Sequence, residues 1–320
     1  MMEGRPLEGI MTDIVITEFM DETAVANLKA RFAVHYDPEL YADPDEMARL
    51  FADVPAVIVR NQTQLRGKVL EAAKALKVIG RLGVGLDNLD MEACAARGIR
   101  VFPATGANSL SVVEYVIGTT MTLLRGAYFA IAAMLAGEFP KTRLIGREIA
   151  GKLMGLVGFG AIARDVAHHA RAIGMEVAAY HPRLPADDPA WSGVRRLELD
   201  ELLAQADVIS LHVPLTAETR GMIGARALAR MKPDAILINT ARGGIMDEAA
   251  LVAALKADKL GGAAIDVYEQ EPLGKDAAKV FAGAPNLILT PHIAGNTVES
   301  NGRVSGLVAE KVMAALEERI

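Results

Sequence analysis

Gly151-Lys152-Leu153-Met154-Gly155-Leu156-Val157-Gly158-Phe159-Gly160-Ala161-Ile162-Ala163-Arg164-Asp165-Val166-Ala167-His168-His169-Ala170 decides how the rest of the chain is read. Leu153 to Val157 is a short apolar run of the kind that forms a buried strand. Gly158-Phe159-Gly160 makes a tight turn, and from Ala161 onward the spacing is helical. Within this strand-turn-helix, Gly158-x-Gly160-x-x-Ala163 fits the dinucleotide fingerprint. Gly158 serves the turn, Gly160 lets backbone approach a pyrophosphate, and small Ala163 allows helix–sheet packing. Phe159, Ala161 and Ile162 complete the candidate cofactor turn, where helix N–H groups and the positive dipole end meet phosphate. A glycine turn that merely packs tightly has the same spelling, so the motif needs support from elsewhere in the chain.

At 320 residues the chain has room for two domains, each with its own core. Hydrophobic residues make up 52% and charged ones 23%, the composition of a soluble globular protein. With 40 acidic against 34 basic side chains the net charge is −6, which argues against nucleic acid or an anionic membrane as the main partner. Cys94 is the only cysteine, so no intrachain disulfide and no cysteine-ligated metal site is expected; a reducing, cytoplasmic compartment fits. The remaining histidines show no metal-ligand spacing, since adjacent His168 and His169 on a helix face different directions. Residues 1–9 hold Glu3, Arg5 and Glu8 and lack the apolar core of a secretory signal. The apolar stretch 115–135 is broken by Gly118, Arg125 and Gly126 and reads as a long buried helix rather than a membrane span.

Strands at 13–17, 56–60, 77–82 and 99–102 alternate with helices at 21–30, 67–75 and 90–97. Such alternation implies a parallel sheet with helices on both faces. No fingerprint glycines follow its first strand, so this α/β domain does not hold the dinucleotide. A helical pattern runs from 109 to about 136, and 138–152 is a polar connection into the fingerprint unit. Strands at 153–157, 176–180, 208–212, 235–239, 263–267 and 287–289 then make the six of a full dinucleotide-binding sheet, and 298–318 is a final helix expected to return to the first domain.

Hydride transfer to a 2-oxo acid requires a cation for the carboxylate, an acid/base for the hydroxyl proton and a cofactor held against carbon two. Arg242, in Asn239-Thr240-Ala241-Arg242-Gly243, follows an apolar strand and can grip a carboxylate bidentately. His292, in Thr290-Pro291-His292-Ile293-Ala294-Gly295, also lies just beyond a strand, and imidazole passes protons near neutrality. Glu271, in Asp266-Val267-Tyr268-Glu269-Gln270-Glu271-Pro272, can orient that imidazole as the third group of a triad does; Glu269 is its competitor.

Together with the fingerprint and Leu211-His212-Val213-Pro214-Leu215-Thr216-x-x-Thr219, these motifs resemble the D-isomer-specific 2-hydroxyacid dehydrogenases over nearly the whole chain. The resemblance implies two doubly wound α/β domains, a Rossmann-type cofactor domain (109–292, with a dimerisation helix and arm) inserted into a flavodoxin-like substrate domain (1–108 and 293–320). It implies Arg242 as the carboxylate-binding residue, His292 as acid/base and Glu271 as its partner. Asp266 would contact the nicotinamide side; His212, Val213, Pro214, Thr219, Thr240, Ala241, Ala294 and Gly295 would line the cofactor. The loop Gly83-Val84-Gly85-Leu86-Asp87-Asn88 would receive the substrate carboxylate on the Val84 and Gly85 N–H groups, with Asn108 at the hinge. Arg60 matches a position facing an anionic substrate tail, and Lys141 and Arg143 could come from a neighbouring subunit of a homodimer.

The chain departs from the family pattern after the second cofactor strand. Where NAD enzymes carry an acidic residue, it has Tyr180-His181-Pro182-Arg183, so no carboxylate binds the ribose 2′-hydroxyl and Arg183 can pair with a 2′-phosphate. The cofactor expected is NAD(P), leaning to NADP. Ile16-Thr17-Glu18-Phe19-Met20-Asp21 and the loop 184–189 are similar to sulfolactate dehydrogenases, leaving phosphate-tailed, sulfonate-tailed and glyoxylate-sized substrates open. Two rival classes share the fold. A dehydrogenase-like corepressor would bind partner proteins, but the appended tail for that is not seen. A formate dehydrogenase would not need the Glu271–His292 pair.

Overall fold

The computed structural model describes residues 12–318, so the stretch 1–9 read for a signal lies outside it. The chain forms two units, one taking in the residues up to Asn108 and again from Thr297, the other Ser109–Asn296. The return to the first unit comes at Thr297 rather than at 293, because the Ile293 and Ala294 N–H groups are tied to Asp266 of the second unit.

In the first unit β1 (Ile14–Ile16), β2 (Val34–Tyr36), β3 (Ala56–Val59), β4 (Val78–Arg81) and β5 (Arg100–Pro103) form one sheet in the order β2-β1-β3-β4-β5, every pair parallel. This is the flavodoxin-like order. Successive side chains point to opposite faces. Ile14, Ile16, Ile58 and Val78 therefore pack with Val304, Val308 and Val312, while Val15, Val57 and Ile79 pack with Phe51, Leu70 and Cys94. The valines belong to the helix Val298–Glu317, opened by a reciprocal capping box between Thr297 and Ser300. Asp21 caps the helix Glu22–Lys29 by accepting from Thr23 N and Ala24 N.

The second unit holds β6 (Leu153–Val157), β7 (Glu176–Tyr180), β8 (Arg195–Arg196), β9 (Val208–Leu211), β10 (Ile236–Asn239), β11 (Gly262–Ile265) and β12 (Leu287–Leu289). Their order is β12-β11-β10-β9-β6-β7-β8, all parallel, with the direction of winding reversing between β6 and β9. The sheet has seven strands rather than the expected six; β8 is an exposed two-residue edge. β6 is buried along its whole length. Val112, Val113 and Val116 of the helix Ser109–Arg125 share a core with the small face Ala163, Ala167 and Ala170 of the helix Ala161–Ala172.

The single long helix expected over 109–136 is broken. Ser109–Arg125 stops at Gly126, whose φ is +62°, and the chain resumes through Ala127–Ala130 into Ile131–Leu135 at a bend of 62°. Nor is the second part buried: Tyr128, Ile131 and Leu135 are 65%, 69% and 85% exposed. No single helix among the described residues is long and apolar enough to cross a membrane.

Candidate active site

In a parallel sheet the carboxyl ends of all strands lie along one edge, where ligands bind at the switch point. The fingerprint turn follows β6, His181 and Arg183 follow β7, and His212 to Thr219 follow β9. Thr240, Ala241 and Arg242 follow β10, Asp266 and Glu271 follow β11, and His292, Ala294 and Gly295 follow β12. The cofactor and catalytic candidates of the second unit are thus gathered along one edge of one sheet.

His292 is held from several sides. Its Nδ1 lies 2.7 Å from Glu271 Oε2, and its backbone N–H donates to Asp266 O at 2.8 Å. Its φ is +56°, a left-handed conformation that a non-glycine residue keeps only where surroundings enforce it. Buried Asp266 supplies much of that enforcement. Its Oδ1 accepts from Thr290 Oγ1 (2.6 Å) and Ile293 N (2.9 Å), its Oδ2 from Ala294 N (2.8 Å). Burial raises the Asp266 pKa, opposed by these hydrogen bonds and by His292. Tyr268 Oη adds a bond to Thr290 O at 2.8 Å, and Tyr115 Oη meets Thr290 Oγ1 at 2.7 Å. Burial pushes the Tyr115 phenol up to about 12.

Glu271, not Glu269, meets the imidazole; the Glu269 N–H is bound to Glu248. Glu271 Oε1 also accepts the Tyr268 N–H at 3.0 Å. Burial works to raise the Glu271 pKa, but the bond and charge of His292, the Tyr268 N–H and nearby Arg242 outweigh it and hold the carboxyl below its ordinary value. Arg242 is half-buried, and one Nη donates to Ala241 O at 2.6 Å. Asn239, fully buried at the end of β10, braces the turn by donating to Arg242 O at 3.0 Å and accepting from Ala241 N at 3.1 Å. A Cβ on Gly243 would come within 1.7 Å of Tyr268 O, so the Arg242 and Glu271 loops can lie this close only with glycine there. The arrangement can fix a carboxylate and exchange one proton with an oxygen beside it.

The cofactor turn meets the requirements of a dinucleotide. Gly158 has φ +92°, and a Cβ there would lie 2.5 Å from His212 O, so the ends of β6 and β9 meet only across glycine. The helix Ala161–Ala172 has no side-chain cap at Gly160, leaving its first-turn N–H groups directed outward, and space beyond Gly160 is open. Thr240 Oγ1 is buried with no protein partner among the described residues, as a group facing a bound polar molecule would be. Thr219 Oγ1 instead braces its own loop, donating to Pro214 O at 2.6 Å. Burial pushes the His212 imidazole down to about 4, so it is neutral at neutral pH, with Nε2 2.9 Å from Ser210 Oγ. His181 Nδ1 accepts the Arg183 N–H at 3.3 Å and Arg183 is exposed, its charge felt by Glu218. Phe159 stacks on Trp191 at 5.1 Å and 16°, which fastens the loop after β7 to the fingerprint turn.

In the first unit, Arg60, the Val84–Gly85 loop and Asn108 follow β3, β4 and β5. Asn108 Oδ1 is buried with no protein partner among the described residues. The loop is anchored by Gly83 N to Arg81 O (2.8 Å) and Ala104 N to Gly83 O (2.9 Å). The motifs alone did not mark Asn239, Tyr115, Thr290 and Trp191 as supports; Trp191, the sole tryptophan, in a proline-rich loop, was the one available signal.

Comparison with known proteins places the family. Residues 117–294 match the family model described as D-isomer specific 2-hydroxyacid dehydrogenase, NAD binding domain. The chain is 50% identical over 310 residues to the (S)-sulfolactate dehydrogenase of Chromohalobacter salexigens, covering 97% of this chain and 100% of that one. It is 37% identical over 300 residues to the D-3-phosphoglycerate dehydrogenase of Archaeoglobus fulgidus, covering 94% of this chain but only 56% of that protein. Among solved structures, the TT0316 protein from Thermus thermophilus superposes with a TM-score of 0.87 at 32% identity, covering 96% and 97% of the two chains. The chain belongs to the D-isomer specific 2-hydroxyacid dehydrogenases, oxidoreductases that move a hydride between a nicotinamide and a 2-hydroxy or 2-oxo acid.

Proposed function

We propose that this dehydrogenase interconverts a three-carbon D-2-hydroxy acid bearing an anionic tail, sulfonate first, with its 2-oxo acid, using NADP(H) in preference to NAD(H). The observation carrying the chemistry is the 2.7 Å contact of His292 with Glu271, on a loop near enough for Arg242 to act electrostatically on Glu271. Arg242 binds the carboxylate. His292 gives its proton to the ketone oxygen in reduction and takes it back in oxidation, while Glu271 holds the ring and stabilises its charged form. The dinucleotide, when bound, supplies the hydride; Gly158 to Ile162 hold its phosphates and Thr240 its buried polar contact.

The sulfonate tail is supported by the 50% identity with a sulfolactate dehydrogenase over 97% of this chain and 100% of that one. Its S descriptor agrees with D-specific chemistry: the sulfonate-bearing carbon outranks the carboxylate, so a D-configured 3-sulfo-2-hydroxy acid is named S. Arg60 is the residue proposed to meet the tail. NADP is supported by His181 and exposed Arg183 in place of an acidic residue. The exposed apolar arm, with Tyr128, Ile131, Leu135, Phe139 and Ile145, supports a homodimer, and a cytoplasmic location suits the cofactor. His292→Ala tests the assignment: kcat should collapse while the dinucleotide still binds, and retained kcat with lost cofactor binding would remove His292 from its role.

A further inference from the structure

The loop that carries His292 is tied to the helix Ser109–Arg125 by two side-chain hydroxyls whose hydrogen bonds can run in only one direction. Asp266, buried immediately after β11, accepts the Ile293 N–H on Oδ1 (2.9 Å) and the Ala294 N–H on Oδ2 (2.8 Å). Both oxygens are engaged as acceptors, the pattern of an ionised carboxylate. Thr290 has one hydroxyl proton, and its Oγ1 lies 2.6 Å from Asp266 Oδ1, so that proton goes to the carboxylate. In the second contact of the same oxygen, to Tyr115 Oη at 2.7 Å, the tyrosine must then be the donor. From Tyr115 to Thr290 to Asp266 this is a donor chain in which each bond polarises the next.

The Tyr115 ring packs against the cluster that includes Val112, Val116 and Ala163, a task phenylalanine would do as well. The hydroxyl is what the chain of bonds requires. Tyr268 holds the opposite side of Thr290, with its Oη 2.8 Å from Thr290 O, and so leaves the threonine hydroxyl to Tyr115. Around Asp266 stand His292 from the loop after β12, Tyr115 from the helix and Tyr268 from its own loop. Glu271 lies against His292 and Tyr268, and Arg242 acts on Glu271. Burial raises the Asp266 pKa, while Thr290, the two N–H groups and His292 oppose it. Burial also pushes the Tyr115 phenol up to about 12, so Tyr115 acts as a neutral hydrogen-bond donor and not as an ion.

We propose that Tyr115 is a positioning residue for His292: by donating to Thr290 it favours the ionised state of Asp266, which keeps the His292 loop bound to that carboxylate as the medium turns acid. The proposal rests on the reading of His292 as the acid/base. Ile293 and Ala294, the residues bound to the carboxylate, directly follow His292, whose φ of +56° needs such restraint. A protonated Asp266 carries a donor where it had an acceptor site and releases part of this hold. Loss of the Tyr115 hydroxyl weakens the ionised state more than the protonated one, so Asp266 takes up its proton at a higher pH. By linkage, the stability contributed by that hydroxyl is fully present while Asp266 is ionised and shrinks as pH falls through the Asp266 titration.

The test compares the full-length enzyme with Tyr115→Phe, which keeps the ring, with Thr290→Val, with Thr290→Ser, and with the double variant Tyr115→Phe plus Thr290→Val. In the first measurement kcat for 3-sulfo-2-oxopropanoate, or for hydroxypyruvate should the sulfonate not be turned over, is followed with NADPH from about pH 5 to pH 9. Tyr115→Phe should move the acid limb up by roughly half a unit to one unit, the effect of one lost neutral hydrogen bond. Thr290→Val should move it at least as far, and Thr290→Ser, which keeps the hydroxyl, should hold it near the wild-type position. In the Thr290→Val background Tyr115→Phe should add nothing. The second measurement needs no substrate: the melting temperature of Tyr115→Phe relative to wild type, against pH. The deficit should be largest near neutral pH and narrow on acidification; the His212 contribution is common to both chains and cancels. A limb that stays in place, a deficit equal at every pH, or a Tyr115→Phe shift that survives in the Thr290→Val background would overturn the proposal. Should His292→Ala keep its kcat, the acid/base reading fails by itself, and the melting series still decides whether Tyr115 acts on Asp266.

Discussion

Asp266 Oδ2 accepts the Ala294 N–H at 2.8 Å, while its other oxygen is taken by Thr290 and Ile293, so one buried carboxylate anchors the loop that carries His292. Asp266→Asn cannot reproduce this, because an amide nitrogen would then face a backbone N–H. The expected cost is about 1–3 kcal/mol of stability, the range for a buried polar group left unpaired. Denaturant unfolding measures it, and kcat should fall with it because His292 loses its support. Unchanged stability and kcat would show that the loop is fixed by other contacts.

His212 gives the pH dependence a sign. Its folded-state pKa is depressed by burial to about 4, below the value of about 6.5 for a solvated histidine. The unfolded chain therefore takes up a proton first as pH falls, so stability is fully present above about 6.5 and is lost down to about 4. The melting temperature should drop between pH 7 and pH 5, and His212→Asn should shrink that drop. Glu271, also depressed, acts in the same direction at lower pH, contributing above the ordinary carboxylate range and losing that contribution as pH falls through its folded value.

Trp191 donates its indole N–H to Pro185 O at 2.7 Å and stacks on Phe159, joining the loop after β7 to the fingerprint turn. Trp191→Ala is expected to raise KM for the dinucleotide about tenfold, with kcat at saturating cofactor nearly unchanged. Steady-state rates at varied NADPH decide it. A fall confined to kcat would contradict the role.

Arg183 is exposed, and the turn 181–183 carries no acidic residue. A charge-assisted bond to a 2′-phosphate is worth roughly 1.5–3 kcal/mol, or about tenfold to a hundredfold in favour of NADPH. Arg183→Ala should erase most of that preference and His181→Asp should reverse it. Equal or better use of NADH by the wild-type enzyme would overturn the cofactor preference alone.

Much of the architecture was readable because buried parallel strands are continuous apolar runs, as Leu153 to Val157 is. β2 and β8 escaped because edge strands carry no such run: Val34-His35-Tyr36 is half-buried and Arg195-Arg196 exposed. The break at Gly126 escaped because the apolar spacing of 127–135 reads the same whether a helix is buried in its own chain or exposed. Arg242, Glu271 and His292 stood out as polar residues directly beyond apolar strands. Their supports did not, since the bond between Tyr115 and Thr290 joins residues 175 positions apart and exists only once the sheet has formed.

Reduction of a tailed 2-oxo acid with a nicotinamide cofactor is the reaction proposed for this chain. Initial rates of NADPH and NADH oxidation by the purified enzyme, with 3-sulfo-2-oxopropanoate, 3-phosphooxy-2-oxopropanoate, hydroxypyruvate and glyoxylate, test it directly. The highest kcat/KM is expected for the sulfonate substrate with NADPH. Failure to oxidise either cofactor with the sulfonate or the phosphate acid, whatever the rate with hydroxypyruvate or glyoxylate, would contradict it.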